Sequence, residues 1–546
     1  MAVMLKAAIL ARTLVAVAMV AAVVLGAPAV AQDAGAPEAG TGWYSGGLAT
    51  ATSRMVAAAN PHAVEAGLEI LRAGGSAADA AVAVQLVLNL VEPQSSGIGG
   101  GGLSVGVPGT VAVLEAVHRS HGRLPWARLF APAIRLAGDG FRVSPRLHLL
   151  LRWYGADSFA PAARRYFFDT TGSARPAGYL LRNPEFAATL RAIADRGPGA
   201  FYAGPNAEAI VKAVREAPNH KGDITAADLA GYRVREREPV CVPYRAYRVC
   251  GMGPPSSGGL AVAQVLKLIE PFDIGSKPAD AMNVRALHVI AEAEKLAFAD
   301  RDTFIGDPDF VTPPAGLLNA RYLEGRRALI NPATAMARPS AGTPPQTTGH
   351  VFGTDETIEA AGTSHVSIVD DAGNVLAMTT TIEAAFGSRL WAVGFLLNNE
   401  LTDFSFRPID RAGRPLANAV GPGKRPRSSM APTIVFDAEG RPWAALGSPG
   451  GSRIILYVVK ALVALIDWKL DAHAALALMN FGSRGGPFEI EIDHGKAVWH
   501  ALKVKPYGHR VSADLLTSGT HAIVLRGAGR LEGGADPRRE GIARGD

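Results

Sequence analysis

The chain has 546 residues, 48% hydrophobic and 19% charged, enough apolar surface for a large buried core. Its 55 Lys+Arg against 49 Asp+Glu leave a net charge of +6, too mild over this length to call for nucleic acid. With 61 Gly, 37 Pro and 2 Cys, the composition excludes collagen, disordered tails, coiled coils and disulfide-dense mini-domains.

Lys6 and Arg12 are the only charges in the first 31 residues. Residues 13–26 (TLVAVAMVAAVVLG) form an apolar run, and Ala29 and Ala31 supply a small-residue cleavage site. This predicts a signal peptide over 1–31, a mature start at Gln32, and a periplasmic or secreted protein. No later segment holds about 18 uninterrupted apolar residues. Residues 32–42 read as a flexible start.

Two helices are predicted over 52–92, in NPHAVEAGLEILRAGG and SAADAAVAVQLVLNLVE, with Gly74-Gly75 as a stop. The second is apolar nearly all round, so it should be buried. Gly97-Ile98-Gly99-Gly100-Gly101-Gly102 formally matches G-x-G-x-x-G. It follows a helix rather than a strand and opens no helix, so it reads as a Gly-rich turn. Helical patterns dominate 123–235, where Thr225 and Asp228 approximate a capping box. VCVPYRAYRVC alternates like a hairpin. Its Cys241 and Cys250 could be bridged or separate. Residues 280–301 suggest an amphipathic helix, and 333–362, rich in Pro, Thr, Ala and Gly, an exposed linker. Then the pattern turns to strands. TSHVSIVD and VLAMTTTI flank Asp371-Ala372-Gly373-Asn374 as a hairpin, followed by GFLLNN, PTIVFD and PWAALGS. Lys424 in GPGKRP lacks the rest of a P-loop, there is no HExxH or CxxC, and the 13 His form no ligand pair. Neither metal nor cofactor is expected.

Two stretches carry chemistry. Gly362-Thr363-Ser364-His365 puts hydroxyl residues at the start of a strand. Gly447-Ser448-Pro449-Gly450-Gly451-Ser452-Arg453 follows a strand with consecutive unobstructed backbone N–H groups, the donors that an oxyanion hole requires. Each alone also reads as an ordinary turn.

From about Met55 to the end, the sequence resembles the gamma-glutamyltranspeptidase family of N-terminal-nucleophile hydrolases. The carrying stretches are NPHAVEAGLEILRAGGSAADAAVAV, GPPSSGGLAVAQVL, HVIAEAEKLAFADRDTFIGDPDF, TSHVSIVDDAGN, LLNNELTDFS, GKRPRSSMAPTIV and GSPGGSRI. The resemblance implies an α+β fold, a four-layer αββα sandwich. It implies a precursor that cuts itself between Gly362 and Thr363 into pieces 32–362 and 363–546, which stay together as a heterodimer. Thr363 would be the nucleophile, with its freed α-amino group as base. Thr381 would hydrogen-bond it, and the Gly450 and Gly451 N–H groups would hold the oxyanion. Glu400 and Asp403 match the acids that bind the donor's α-ammonium, and Glu383 stands where many members have Asn. Ser428 and Ser429 match the paired serines that bind its α-carboxylate.

The chain departs from the family after Gly102. A strand pair there, with the Arg that clamps the donor carboxylate, looks deleted, since Leu103 runs into SVGVPGTVAVLEAVHRSHG. Arg389 and Arg427 are candidates to replace it, and spacing selects neither. Losing one partner of a buried charge pair costs roughly 2–5 kcal/mol, and a lost hairpin leaves a sheet edge open. The implied activity is a γ-glutamyltransferase or hydrolase acting on glutathione-like γ-amides, with water or an amino acid or dipeptide as acceptor. A related amidase or acylase of altered donor specificity, or a degenerate member, are the alternatives.

Overall fold

The computed structural model describes residues 46–546 except 98, 101–103, 219, 346–350, 358, 360, 361 and 528. The leader expected over 1–31 lies outside the described residues. None of the described helices is long and apolar enough to cross a membrane.

Helices and sheets alternate along the chain, and two antiparallel sheets dominate. The larger runs Ala49–Ala51, Arg530–Ala535, His521–Arg526, Pro442–Gly447, Thr433–Phe436, Tyr247–Gly251, Val240–Tyr244. The smaller runs Ile542–Gly545, Met55–Ala58, Gly362–Val369, Val375–Glu383. Each therefore takes strands from both sides of residue 362. The sheets pack face to face: Pro442–Gly447 touches both strands of the 362–383 hairpin, and His521–Arg526 touches Met55–Ala58. Met55, Ala57, Val369, Ile523 and Leu531 fill the interface.

Pro61–Arg72 and Ala77–Val91 cover the smaller sheet. The first is capped by the Asn60 side chain, with Pro61 in its first turn. The second opens on a full capping box between Ser76 and Asp79, and every residue in it is buried, as its all-round apolarity required. Each fully buried Leu or Val there contributes about 1.5–3 kcal/mol. The Thr225–Asp228 box also forms. On the larger sheet lie Gly258–Ile269 and Ile454–Ile466. Cys241 and Cys250 face each other across the Val240–Tyr244/Tyr247–Gly251 hairpin and are bridged.

Two expectations are corrected. The predicted amphipathic helix over 280–301 is Val284–Phe304, buried on nearly all sides. Several of its charges pair inside the protein instead of facing water: Lys295 with Glu292 at 2.7 Å, and Asp300 with Arg326 at 3.0 Å. The 333–362 linker is not wholly exposed either. Asp355 and Glu359 are buried, held by Arg427 and Arg301.

After Gly97, the described residues hold only the short strand Gly99–Gly100, parallel to Leu397 and Asn398, before the helix Thr110–His121. Val375–Glu383 ends the smaller sheet, and its first five residues are only half-buried.

Candidate active site

The predicted hairpin forms as read, with Gly373 supplying the left-handed residue of its turn (φ 79°) and Asp370 accepting the Ala372 and Asn374 N–H groups. It brings Thr363 opposite Thr381. Register shifts between Gly362 and Thr363, a bulge that seats Gly362 against Glu383. Thr363 is 4% exposed. Its hydroxyl donates to Thr381 Oγ1 at 3.2 Å, and the Thr381 hydroxyl donates to the Gly362 carbonyl at 3.0 Å. The Glu383 N–H donates to Thr381 Oγ1 at 2.8 Å and fixes that hydroxyl's direction. One hydroxyl thus bridges the Thr363 hydroxyl and the carbonyl directly before it.

Glycine at 362 has a steric cause rather than a left-handed backbone. A Cβ there would lie 2.4 Å from the Glu383 carbonyl oxygen and 2.6 Å from that of Ala384. Glu383 itself adopts φ 73°, uncommon for a residue with a side chain, and its carboxylate accepts Asn399 Nδ2 at 2.5 Å.

Glu400 and Asp403 bound one short helical turn, Glu400–Asp403, after the strand Phe395–Asn398. They gather with Glu383 into an acidic cluster. Burial, then the Glu383 and Glu359 charges, push Glu400 up to about 8. Burial and the same neighbours raise Asp403 well above the carboxylate range. Such a cluster stabilises an incoming cation.

Ser428 and Ser429 divide. Ser428 Oγ accepts the Met430 N–H at 3.1 Å, a local turn bond. Ser429 Oγ donates to Glu359 at 2.5 Å and accepts from Arg301 at 2.6 Å. Of the two replacement arginines, Arg389 stacks 4.5 Å over the Tyr154 ring, while Arg427 reaches Glu359 at 3.4 Å.

Gly450 (φ 140°) and Gly451 (φ 54°) follow Pro442–Gly447 and lead into Ile454–Ile466. The first hydrogen bond of that turn is Arg453 N–H to the Gly450 carbonyl, at 3.0 Å, so the turn itself does not take up the Gly450 and Gly451 N–H groups. Gly447 lies directly against His365, where a Cβ would come within 2.4 Å of the ring. His365 is fully buried between Thr379 Oγ1 (2.8 Å) and Ser367 Oγ (3.1 Å). Burial and neighbouring His521 hold it neutral, well below its ordinary pKa. It is therefore a packing residue that ties the hairpin to the Gly-rich loop.

Sequence reasoning missed Arg301, Glu359 and Asn399. It also missed that His288, Glu292 and His509 converge, their ligand atoms within 4.8 Å of one another. The Glu292 oxygens are taken by Lys295 (2.7 Å) and the Met336 N–H (2.6 Å), and His288 binds the Asn331 carbonyl and His509, both at 2.8 Å. Lys295 already supplies the positive charge there, so the group reads as a hydrogen-bonded core cluster.

Residues 63–105 and 101–545 match the model of the family Gamma-glutamyltranspeptidase, the two pieces meeting where the strand pair looked deleted. The "Glutathione hydrolase proenzyme" of Escherichia coli (strain K12) is 35% identical over 544 residues, 89% of this chain and 90% of that protein. The "Acylase ACY 1 proenzyme" of Pseudomonas sp. (strain SE83) is 34% identical over 549 residues, 90% and 93% of the two. The crystal structure of cephalosporin acylase from Bacillus halodurans aligns with a TM-score of 0.79 at 27% identity, over 92% of this chain and 97% of that one.

Proposed function

Since the chain belongs to the gamma-glutamyltranspeptidase family of N-terminal-nucleophile hydrolases, we propose that it cuts itself between Gly362 and Thr363 and then hydrolyses or transfers γ-glutamyl groups. The observation that carries this reading is the bridging Thr381 hydroxyl. Thr363 Oγ1 attacks the Gly362 carbonyl carbon, and Thr381 stabilises the oxygen on which charge develops. An N→O shift gives an ester, and water releases Gly362 as a carboxylate. The freed Thr363 α-amino group, with a reference pKa near 8, becomes the base for its own hydroxyl.

In turnover, Thr363 attacks the γ-amide carbonyl of the donor. The Gly450 and Gly451 N–H groups receive the oxyanion, the leaving amine takes the proton, and Thr363 keeps the γ-glutamyl ester. Water or the amino group of an amino acid or dipeptide then removes the acyl group. Glu383, Glu400 and Asp403 hold the donor ammonium, and Ser429, with Ser428, serves its carboxylate. Pieces 32–362 and 363–546 stay interleaved through both sheets, which with their outer helices make a four-layer αββα sandwich lacking one strand pair after Gly102. Export fits both the leader over 1–31 and the Cys241–Cys250 bridge.

The similarity to acylases supports a second reading, an amidase with another donor. A γ-glutamyl anilide separates them. Turnover by the purified enzyme, lost in Thr363→Ala, supports the γ-glutamyl reading; turnover of other acyl amides alone overturns it.

A further inference from the structure

Five buried or half-buried charges meet beside Ser429. The Arg301 side chain is 4% exposed. Its Nε donates to Ser257 Oγ at 2.9 Å, one Nη to Asp302 at 2.6 Å, and the other to Ser429 Oγ at 2.6 Å and to Glu359. Arg427 pairs with Asp355 at 3.1 Å and reaches Glu359 at 3.4 Å. Arg301 and Arg427 hold the Glu359 carboxyl below its ordinary range in spite of its burial.

The membership of these groups matters. Asp355 and Glu359 lie in the segment that ends at Gly362. Arg301, Asp302 and Arg427 do not. With that segment in place, two cations face three anions; without it, two cations face only Asp302. A buried guanidinium without its anion is costly, so this spot then favours a new carboxylate. Room exists beside it. A cavity of about 390 Å³ is lined by Arg301, Asp302, Thr354, Asp355, Ser452 and Arg484, and Ser452 directly follows Gly451. On its other flank, Asn418 joins it to the acidic cluster: its Nδ2 donates to the Asp403 carbonyl at 2.7 Å and to Asp355 at 3.4 Å, and its Oδ1 accepts the Arg427 N–H at 2.8 Å. A carboxylate-binding point and an ammonium-binding cluster thus adjoin, the complement of an α-amino acid.

We propose that Arg301, with Ser429 and Arg427, reads the α-carboxylate of the donor in place of the deleted arginine, and that Glu359 fills this point as an internal surrogate until the chain is cut. The assignment rests on the donor reading above. Arg389, engaged over Tyr154, takes no part.

The test compares γ-glutamyl anilide with 4-aminobutyryl anilide, which keeps the ammonium and lacks the carboxylate. The processed wild type should prefer the former in kcat/KM by at least about 30-fold, the scale of one buried charge partner. Arg301→Gln should collapse that ratio to below about 3-fold. A merely structural role would lower both donors together and leave the ratio intact, which would overturn the proposal. Should Arg301→Gln not fold, Ser429→Ala should lower the ratio several-fold; an unchanged ratio overturns it equally. In the uncut Thr363→Ala chain, adding Glu359→Ala should tighten L-glutamate binding, measured by calorimetry, at least about 10-fold, since it vacates a charge-assisted site. Equal affinities would overturn the surrogate role. A glutamate gain without anilide turnover by the wild type would refute the donor reading while upholding the carboxylate assignment.

Discussion

Replacing Thr381 by Val keeps the shape of the side chain and removes only the bridging hydroxyl. That hydroxyl makes three contacts: it donates to the Gly362 carbonyl (3.0 Å) and accepts from the Thr363 hydroxyl (3.2 Å) and the Glu383 N–H (2.8 Å). Removing one donor aimed at a developing oxyanion typically slows an acyl transfer about 100- to 1,000-fold. The buried Glu383 N–H also loses its Thr381 acceptor, a hydrogen bond worth a further ~0.5–1.5 kcal/mol of stability. Thr381→Val should therefore accumulate as a full-length chain under conditions where the wild type is fully cut, and unfold at a lower temperature. Denaturing gels over time give the rate, and thermal unfolding gives the stability. Splitting at the wild-type rate would refute the bridging role of Thr381.

Gly362→Ala should abolish cutting, because its Cβ would lie 2.4 Å from a backbone carbonyl oxygen that cannot move aside; a gel showing two pieces at the normal rate contradicts this. Gly447→Ala should push the His365 ring and destabilise the chain by about 1–3 kcal/mol, the usual cost of overpacking, read as a lower unfolding midpoint in denaturant. Glu400 binds its proton more tightly folded than unfolded, so it withdraws stability as pH rises from its ordinary 4.5 toward about 8. In the uncut chain, Glu400→Gln should gain in Tm over its parent across that window, and a pH-independent difference would contradict the raised pKa.

Much of this site was legible because it lies on local patterns. The Asp371–Asn374 turn fixes the hairpin register, and register alone sets Thr363 against Thr381. The Gly-rich run after Pro442–Gly447 was visible for the same reason. What stayed hidden depends on distant partners. Arg301 lies on a helix whose charges suggested a wet face, and only the fold reveals that Ser257, Ser429 and Glu359 satisfy it. Glu359 sat in a stretch whose Pro and Gly content signalled a linker, and composition carries no trace of a carboxylate docking into a basic pocket. The need for glycine at 362 was equally hidden, since it comes from the Glu383 and Ala384 carbonyl oxygens that a Cβ would meet at 2.4 and 2.6 Å.

The most direct test is intact-mass and N-terminal analysis of the purified full chain beside Thr363→Ala. Two pieces, the smaller beginning at Thr363, with the variant remaining whole, are the predicted result. A wild-type chain that stays whole, or one cut elsewhere, would contradict the account.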